Sequence, residues 1–291
     1  MKRESQKIIF IIALLSLTAF SHKADARDYV FSVVPWAAPS EMKAMFQPMM
    51  DYIRERTGLN FTIVMLPSYD EVINEISKGN VQFGSLNAVA YLKLLDTGTK
   101  VKYIATSIRD FGDYDRDFYY GYIITHKDSG VNVFMDLRDK VFGFVDKTSG
   151  SGYKMPIAYM KGLNLNPDTF FKKYFFLGDH DEVIKAVANK QIDAGATWEA
   201  SYLMNEKKFG HIFKIIQRSP PIPNDVWVLS NNIPDSVVSS LKEALLGINR
   251  QTKTSKGILV LDEKKGMNDV GYALRGPEFY TKVKNILLYE N

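Results

Sequence analysis

The sequence predicts an α/β protein of two similar lobes, each a mixed, mostly parallel sheet with flanking helices, facing each other across a cleft. Three observations carry this. Apolar runs of strand length alternate with amphipathic helical stretches, the pattern of β-α-β units. Residues 70–92 (DEVINEISKGNVQFGSLNAVAYL) are echoed without a gap by residues 181–203 (DEVIKAVANKQIDAGATWEASYL), at a constant offset of 111 residues. Asp70/Asp181, Glu71/Glu182, Val72/Val183, Ile73/Ile184, Gly84/Gly195, Tyr91/Tyr202 and Leu92/Leu203 are identical; two helix–strand–helix segments also resemble each other by chance. No Gly/Ser/Pro-rich linker separates the halves, so short crossings fit better than a tether. Clefts between lobes are common ligand sites.

Taken in order, Tyr29–Val34 reads as a strand. Glu41–Thr57 reads as a helix, with Met42, Met45, Phe46, Met49, Met50 and Ile53 on one stripe. Phe61–Leu66 is the next strand. Ser68 then caps a helix, with Glu71 completing a capping box and Gly79 as the stop. The strands Val81–Leu86 and Val101–Thr106 flank a helix ending near Leu95. The same grammar restarts near residue 118. Tyr119–Thr125, Val141–Val145, Phe175–Leu177, Ile192–Thr197 and Ile212–Gln217 read as strands; Tyr153–Lys161, Asp181–Asn189 and Trp198–Lys207 read as the helices between them. Pro234–Leu246 is helical, and the tail from Asn268 is expected to be helical in part.

The first 26 residues read as an address. Lys2, Arg3 and Lys7 precede the apolar run Ile8–Phe20, and Ala24-Asp25-Ala26 gives an A-x-A cleavage pattern. The run is 13 residues, short of the roughly 20 that a spanning helix needs. The expectation is therefore a cleaved signal peptide (1–26) and an exported, periplasmic chain from Arg27 onward. Of 291 residues none is cysteine, which excludes disulfide scaffolds, cysteine zinc sites, iron–sulfur clusters, thiol nucleophiles and a lipid-bearing cysteine. The balance of 37 basic and 33 acidic residues does not point to nucleic acid.

The strongest local signal is Thr148-Ser149-Gly150-Ser151-Gly152-Tyr153, between a strand and a helix start. Free N–H groups, serine hydroxyls and close-approaching glycines make such a turn an anion site; the same residues also make an ordinary serine-capped turn. It matches neither the P-loop nor the G-x-S-x-G elbow. His180, in Gly178-Asp179-His180-Asp181, opens a predicted helix and can donate to an anion, or be an exposed turn residue. Under the 111-residue offset its counterpart is Tyr69, and that of Trp198 is Asn87. If the lobes face each other, these loop positions converge on the cleft. Three histidines outside the leader, far apart in sequence, speak against a catalytic metal, and no cofactor is expected.

Together these motifs resemble the PhnD-type phosphate/phosphite/phosphonate substrate-binding proteins of ABC transporters, over nearly the whole chain. The resemblance runs through Val34-Pro35, Tyr69-Asp70-Glu71-Val72, Tyr119 before Lys127-Asp128-Ser129, and the 148–153 turn with Pro156. It continues through Gly178-Asp179-His180-Asp181, Ile192-Asp193-Ala194-Gly195 and Arg218-Ser219-Pro220-Pro221-Ile222-Pro223. It implies a two-lobed type II periplasmic binding protein fold, with lobe one as 27–116 and 225–291 and lobe two as 117–224. It further implies that Ser149, Ser151, His180, Tyr69 and Tyr119 bind phosphonyl oxygens. Gly150 stands where many members carry a hydroxyl, and Asn87 where a Gly-Pro pair is usual. Glu199 and Asp225 match carboxylates that hold the ammonium of aminophosphonates; if both face the cleft, a zwitterionic ligand is favoured.

The implied function is capture of a phosphorus oxyanion for an inner-membrane ABC permease by a monomer, without chemistry. A module feeding a sensor and a secreted phosphoester hydrolase are the alternatives. The hydrolase would require a metal cluster or an activated nucleophile, and the sequence shows neither.

Overall fold

The computed structural model describes residues 28–112 and 115–287; the expected signal peptide and its cleavage site lie outside the described residues. The chain runs β1 (Asp28–Val33), α1 (Pro39–Thr57), β2 (Asn60–Ile63), α2 (Tyr69–Ser77), β3 (Phe83–Leu86), α3 (Ala88–Asp96) and β4 (Val101–Asp110). Two short strands, β5 (Asp115–Arg116) and β6 (Phe118–Tyr119), lead to β7 (Gly121–His126), β8 (Val141–Phe144), α4 (Met155–Gly162), α5 (Pro167–Phe170) and β9 (Lys173–Phe176). There follow α6 (His180–Ala188), β10 (Ala194–Trp198), α7 (Glu199–Phe209), β11 (Phe213–Arg218) and β12 (Ile222–Pro223). The chain closes with β13 (Val226–Ser230), α8 (Asp235–Leu246), β14 (Asp269–Ala273), α9 (Glu278–Thr281) and α10 (Lys284–Leu287).

Two sheets result. The first is ordered β2-β1-β3-β13-β4-β14, with β5 on β4; the second is β9-β8-β10-β7-β11. Between them β6 and β12 pair antiparallel, Tyr119 opposite Ile222, so the two chain crossings run side by side. Only β2-β1-β3 and β9-β8-β10 are parallel. The strands next to them, β13 and β7, follow directly on the crossings rather than on βαβ turns, and they pair antiparallel. The sheets are therefore mixed, with a larger antiparallel share than the alternation alone predicts.

Local chemistry sets most element ends. Pro39 occupies the first turn of α1, where its missing N–H costs nothing, so the helix starts two residues before Glu41. Gly58 ends it at φ 73°, its N–H donating to the Arg54 carbonyl. Ser68 Oγ accepts from the Glu71 amide at 3.2 Å. The expected strand Tyr119–Thr125 is interrupted at Tyr120, where the chain leaves the β6–β12 pair for the second sheet. Asp269–Ala273 in the tail is a strand because the edge of β4 is open to pair with it; only 278–281 and 284–287 are helical. Sequence reading passes over β13, a wholly buried strand whose continuous apolar run has no alternation to mark it.

Each sheet buries both faces. On the first, Phe31, Phe46, Met49, Phe83, Trp227 and Leu241 form one core, with the Phe31 and Trp227 rings stacked at 5.6 Å. Its other face, with Val72, Ile76, Leu86 and Val89, extends onto Met155, Trp198 and Ala200 of the second lobe. Burying each such side chain contributes about 1.5–3 kcal/mol. This shared apolar contact holds the two lobes together next to the cleft.

Candidate ligand-binding site

The serine turn is a π-helical turn, Gly150–Lys154, running into α4. Pro156 explains the widened register. It has no N–H to give the Gly152 carbonyl, which accepts from the Val145 amide at 3.2 Å instead. Lys154 N–H reaches back to the Ser149 carbonyl at 3.0 Å. Ser149 caps the turn, its Oγ accepting from the Gly152 amide at 3.0 Å. Only glycine fits at 152, because a Cβ there would lie 2.5 Å from Val145 Cγ2. π-turns inserted at helix starts recur at functional sites. Here the turn carries Ser149 and Ser151, both buried, to the wall of a cavity.

Partners from both lobes meet that turn. The Tyr69 hydroxyl approaches Ser149, and the Tyr119 hydroxyl approaches Ser151, in the wall of that cavity. Burial raises both tyrosines above the ordinary phenol range, so they stay protonated donors. His180 is 4% exposed, and burial lowers its imidazole to about 3. Its Nδ1 accepts the Trp198 amide at 3.2 Å, which leaves Nε2–H as the ring's donor. The histidine is thus a neutral hydrogen-bond donor at neutral pH. Asn87 caps α3, its Oδ1 accepting from the Ala90 amide at 2.7 Å, and its Nδ2 points to the Thr148 carbonyl at 3.5 Å. Just outside, Lys93 Nζ donates to Asp70 (3.0 Å) and to Thr148 Oγ1 (2.9 Å), linking the lobes.

A second set of charges lies on the lobe-one side. Arg109 Nη2 donates to Asp225 Oδ2 at 2.7 Å and Nε to Asp269 Oδ1 at 2.8 Å, with all three side chains buried. Burial opposes the guanidinium charge, but the two carboxylates more than offset it and hold Arg109 above its ordinary value. Ser107 Oγ steadies Asp269 at 2.9 Å and in turn accepts from Trp227 Nε1 at 3.0 Å. Arg109 also lies 5.0 Å from the centre of the Trp198 ring.

The structure brings Tyr69, Asn87, Tyr119, Ser149, Ser151, His180 and Asp225 around one cavity of about 30 Å³, with Val34, Trp36, Arg109 and Trp198 completing the wall. Room on that scale takes one or two waters, or the head of a small oxyanion. Gly150 lies behind the wall; a Cβ there would sit 3.4 Å from the Tyr119 hydroxyl. Glu199 is not in the wall, which corrects its expected place in the cleft. Its carboxylate accepts from Arg116 Nη2 (3.0 Å), the Tyr122 hydroxyl (3.0 Å) and the Tyr120 amide (3.1 Å) at the crossings. A larger cavity of about 310 Å³ adjoins Ser151, lined chiefly by Tyr122, Met155, Tyr159, Pro220 and Ile286. Gln217, Arg218 and Ser219 also reach it, but of the residues expected to bind the ligand only Ser151 does, whereas seven of them meet at the small cavity, which is the candidate site.

The family model described as "ABC transporter, phosphonate, periplasmic substrate-binding protein" matches residues 31–270. The chain belongs to this family. Among curated relatives, the phosphate-import protein PhnD of Mycolicibacterium smegmatis is 25% identical over 222 residues, covering 72% of this chain and 68% of that protein. The tetrathionate sensor histidine kinase TtrS of Salmonella typhimurium is 21% identical over 233 residues; the match takes in 77% of this chain but only 38% of the kinase. Two solved structures share the fold at a TM-score of 0.77. One is a binding protein of an ABC phosphonate transporter from Pseudomonas aeruginosa, 20% identical, with 91% of this chain and 86% of that chain covered. The other is PhnD1 of Prochlorococcus marinus in complex with methylphosphonate, 17% identical, covering 90% and 97%. The fold is therefore the two-lobed one of periplasmic binding proteins, and no helix among the described residues is long and apolar enough to cross a membrane.

Sequence reading did not find Arg109 and Trp36. Arg109 ends an ordinary strand pattern, and its partners lie 116 and 160 residues further along the chain. The only available signal was a charged residue closing an apolar strand. Trp36 follows Val34-Pro35 in the turn after β1, and its ring lies 5.8 Å from that of Trp198 in the other lobe.

Proposed function

We propose that this protein captures a small phosphorus oxyanion (phosphonate, phosphite or phosphate) between its lobes and presents the closed form to an inner-membrane ABC permease. The observation that carries the reading is the convergence of five neutral hydroxyl and imidazole donors, Tyr69, Tyr119, Ser149, Ser151 and His180, from both lobes and one crossing. Neutral donors suit a ligand that brings its own charge, and a ligand bridging both lobes stabilises the closed form. Lobe one is taken as residues 27–116 and 225–291 and lobe two as 117–224, the crossings acting as the hinge. The chain is exported by the 1–26 leader, works as a monomer and turns nothing over.

The test is a thermal-shift and calorimetric panel of phosphate, phosphite, methylphosphonate and 2-aminoethylphosphonate, with sulfate as the control. Saturable stabilisation by a phosphorus oxyanion and not by sulfate is expected; no response to any of them overturns the reading. The likeness to a sensor kinase favours a second reading, in which the closed form is read by a signalling partner. Deletion of the gene separates the two: loss of oxyanion uptake marks transport, and loss of an oxyanion-dependent transcriptional response with uptake intact marks sensing.

A further inference from the structure

In an oxyanion cavity a carboxylate repels the ligand unless a cation sits on it. Asp225 lines the cavity, and the cation on it comes from the protein: Arg109 Nη2, 2.7 Å away, with Asp269 fixing Nε from behind at 2.8 Å. Arg109 lines the same cavity, and its Nη1 makes no hydrogen bond or ion pair among the described residues. Glu199, the other carboxylate that a ligand ammonium would need, is turned away and held by Arg116 and Tyr122. The walls beyond the donors are Val34, Trp36 and Trp198, with about 30 Å³ between them. Arg109 takes one oxygen of Asp225, so an alkylammonium arm would meet a carboxylate already paired with a buried guanidinium, with no second carboxylate in the wall, and would have to compete with that ion pair in about 30 Å³ of room.

We propose that Arg109 is a specificity residue that takes the place of a ligand's ammonium group, so that the cleft selects small phosphorus oxyanions with no cationic substituent and rejects aminoalkylphosphonates. This rests on the reading of the cleft as an oxyanion site. Arg109 offsets the charge of Asp225, and among the described residues that line the cavity its Nη1 is the one charged donor left for the anion. The condition for a zwitterionic ligand, that Glu199 and Asp225 both face the cleft, is thereby not met.

The decisive measurement is calorimetric titration of the mature protein with methylphosphonate and with 2-aminoethylphosphonate, which differ in size and in the ammonium group, together with phosphite and ethylphosphonate. Ethylphosphonate isolates the effect of size. The wild type is expected to bind methylphosphonate or phosphite at least about 30-fold more tightly than 2-aminoethylphosphonate, and ethylphosphonate more tightly than its amino derivative. Equal or tighter binding of the amino compound overturns the inference while leaving the oxyanion reading intact. Binding of none of the four overturns the oxyanion reading, and the inference with it. The double variant Arg109→Gln/Asp269→Asn keeps the local charge balance and exposes Asp225 to the ligand. In it, the preference for ethylphosphonate over 2-aminoethylphosphonate is expected to fall at least about tenfold; an unchanged ratio in a variant with native near-ultraviolet circular dichroism also overturns the proposal.

Discussion

The two lobes share a frame and divide the chemistry. The strand order β2-β1-β3-β13-β4 of the first sheet is matched by β9-β8-β10-β7-β11 in the second, parallel and antiparallel neighbours included. Elements begin in step with the 111-residue echo: α2 at Tyr69 and α6 at His180, β3 at Phe83 and β10 at Ala194, α3 at Ala88 and α7 at Glu199. Yet the turn after β1, Pro35-Trp36-Ala37-Ala38-Pro39, offers rings and prolines, whereas the equivalent turn after β8 offers Thr148-Ser149-Gly150-Ser151-Gly152. The second lobe presents hydroxyl donors, and the first presents a tyrosine, an aromatic wall and the buried Arg109 pair. Symmetry of fold is thus a matter of packing, and the site arises where the symmetry is broken.

Removing the charge that only lobe one has should have the largest effect. Arg109→Met leaves Asp225 and Asp269 buried without their cation, and urea denaturation is expected to show a loss of about 3–5 kcal/mol. Next comes the donor set of lobe two. Ser151→Ala or His180→Ala is expected to weaken methylphosphonate binding about 10- to 100-fold with the fold retained, each removing a bond to a charged ligand. Unchanged affinity for both, measured by calorimetry, would refute the site.

Two glycines at matched positions probe the shared frame. Cβ atoms built at Gly195 and Gly84 fall 2.4 Å from Val183 Cγ1 and 2.8 Å from Ile76 Cδ1, so both let a helix approach its strand closely. Alanine at either is expected to cost about 1–3 kcal/mol. Gly195→Ala should cost more, because Val183 is short and branched at Cβ whereas Ile76 meets the intruder with its flexible tip. Equal Tm losses would break this asymmetry.

Histidine against tyrosine at the paired helix starts predicts a difference in acid. The folded His180 titrates near 3, below the ordinary 6.5. Between those values the unfolded chain binds a proton that the folded chain does not. Its contribution is complete above pH 6.5 and declines as pH falls toward 3, at up to about 1.4 kcal/mol per pH unit. His180→Gln should flatten that slope in denaturant titrations from pH 7 to 4; an unaltered slope would show that other groups set it. Tyr69 contributes no such slope. The smallest effect is expected at the half-exposed interlobe bridge. Lys93→Met should cost about 0.2–1 kcal/mol of closure, read as an affinity for methylphosphonate about 1.4- to fivefold weaker.

Much of this arrangement is legible along the chain because it is local. The stripe from Met42 to Ile53, the cap at Ser68, the echo at 70–92 and 181–203, and the serine turn all follow from periodicity and capping rules that act within a few residues. β13 escaped because a strand buried on both faces carries no alternation. The place of Glu199 escaped because its partners, Arg116, Tyr120 and Tyr122, are 83 to 77 residues away, and nothing in the residues around Glu199 states whether it faces ligand or protein.

By itself, the amino-acid sequence determined the α/β class, the paired lobes and the type of donor available to an anion, because these depend on short-range spacing and on side-chain identity. Only the tertiary structure decided which charges meet. Arg109, Asp225 and Asp269 come from three separate stretches of chain, and the energy of a buried charge depends on what lies within a few ångströms of it rather than on its neighbours in sequence.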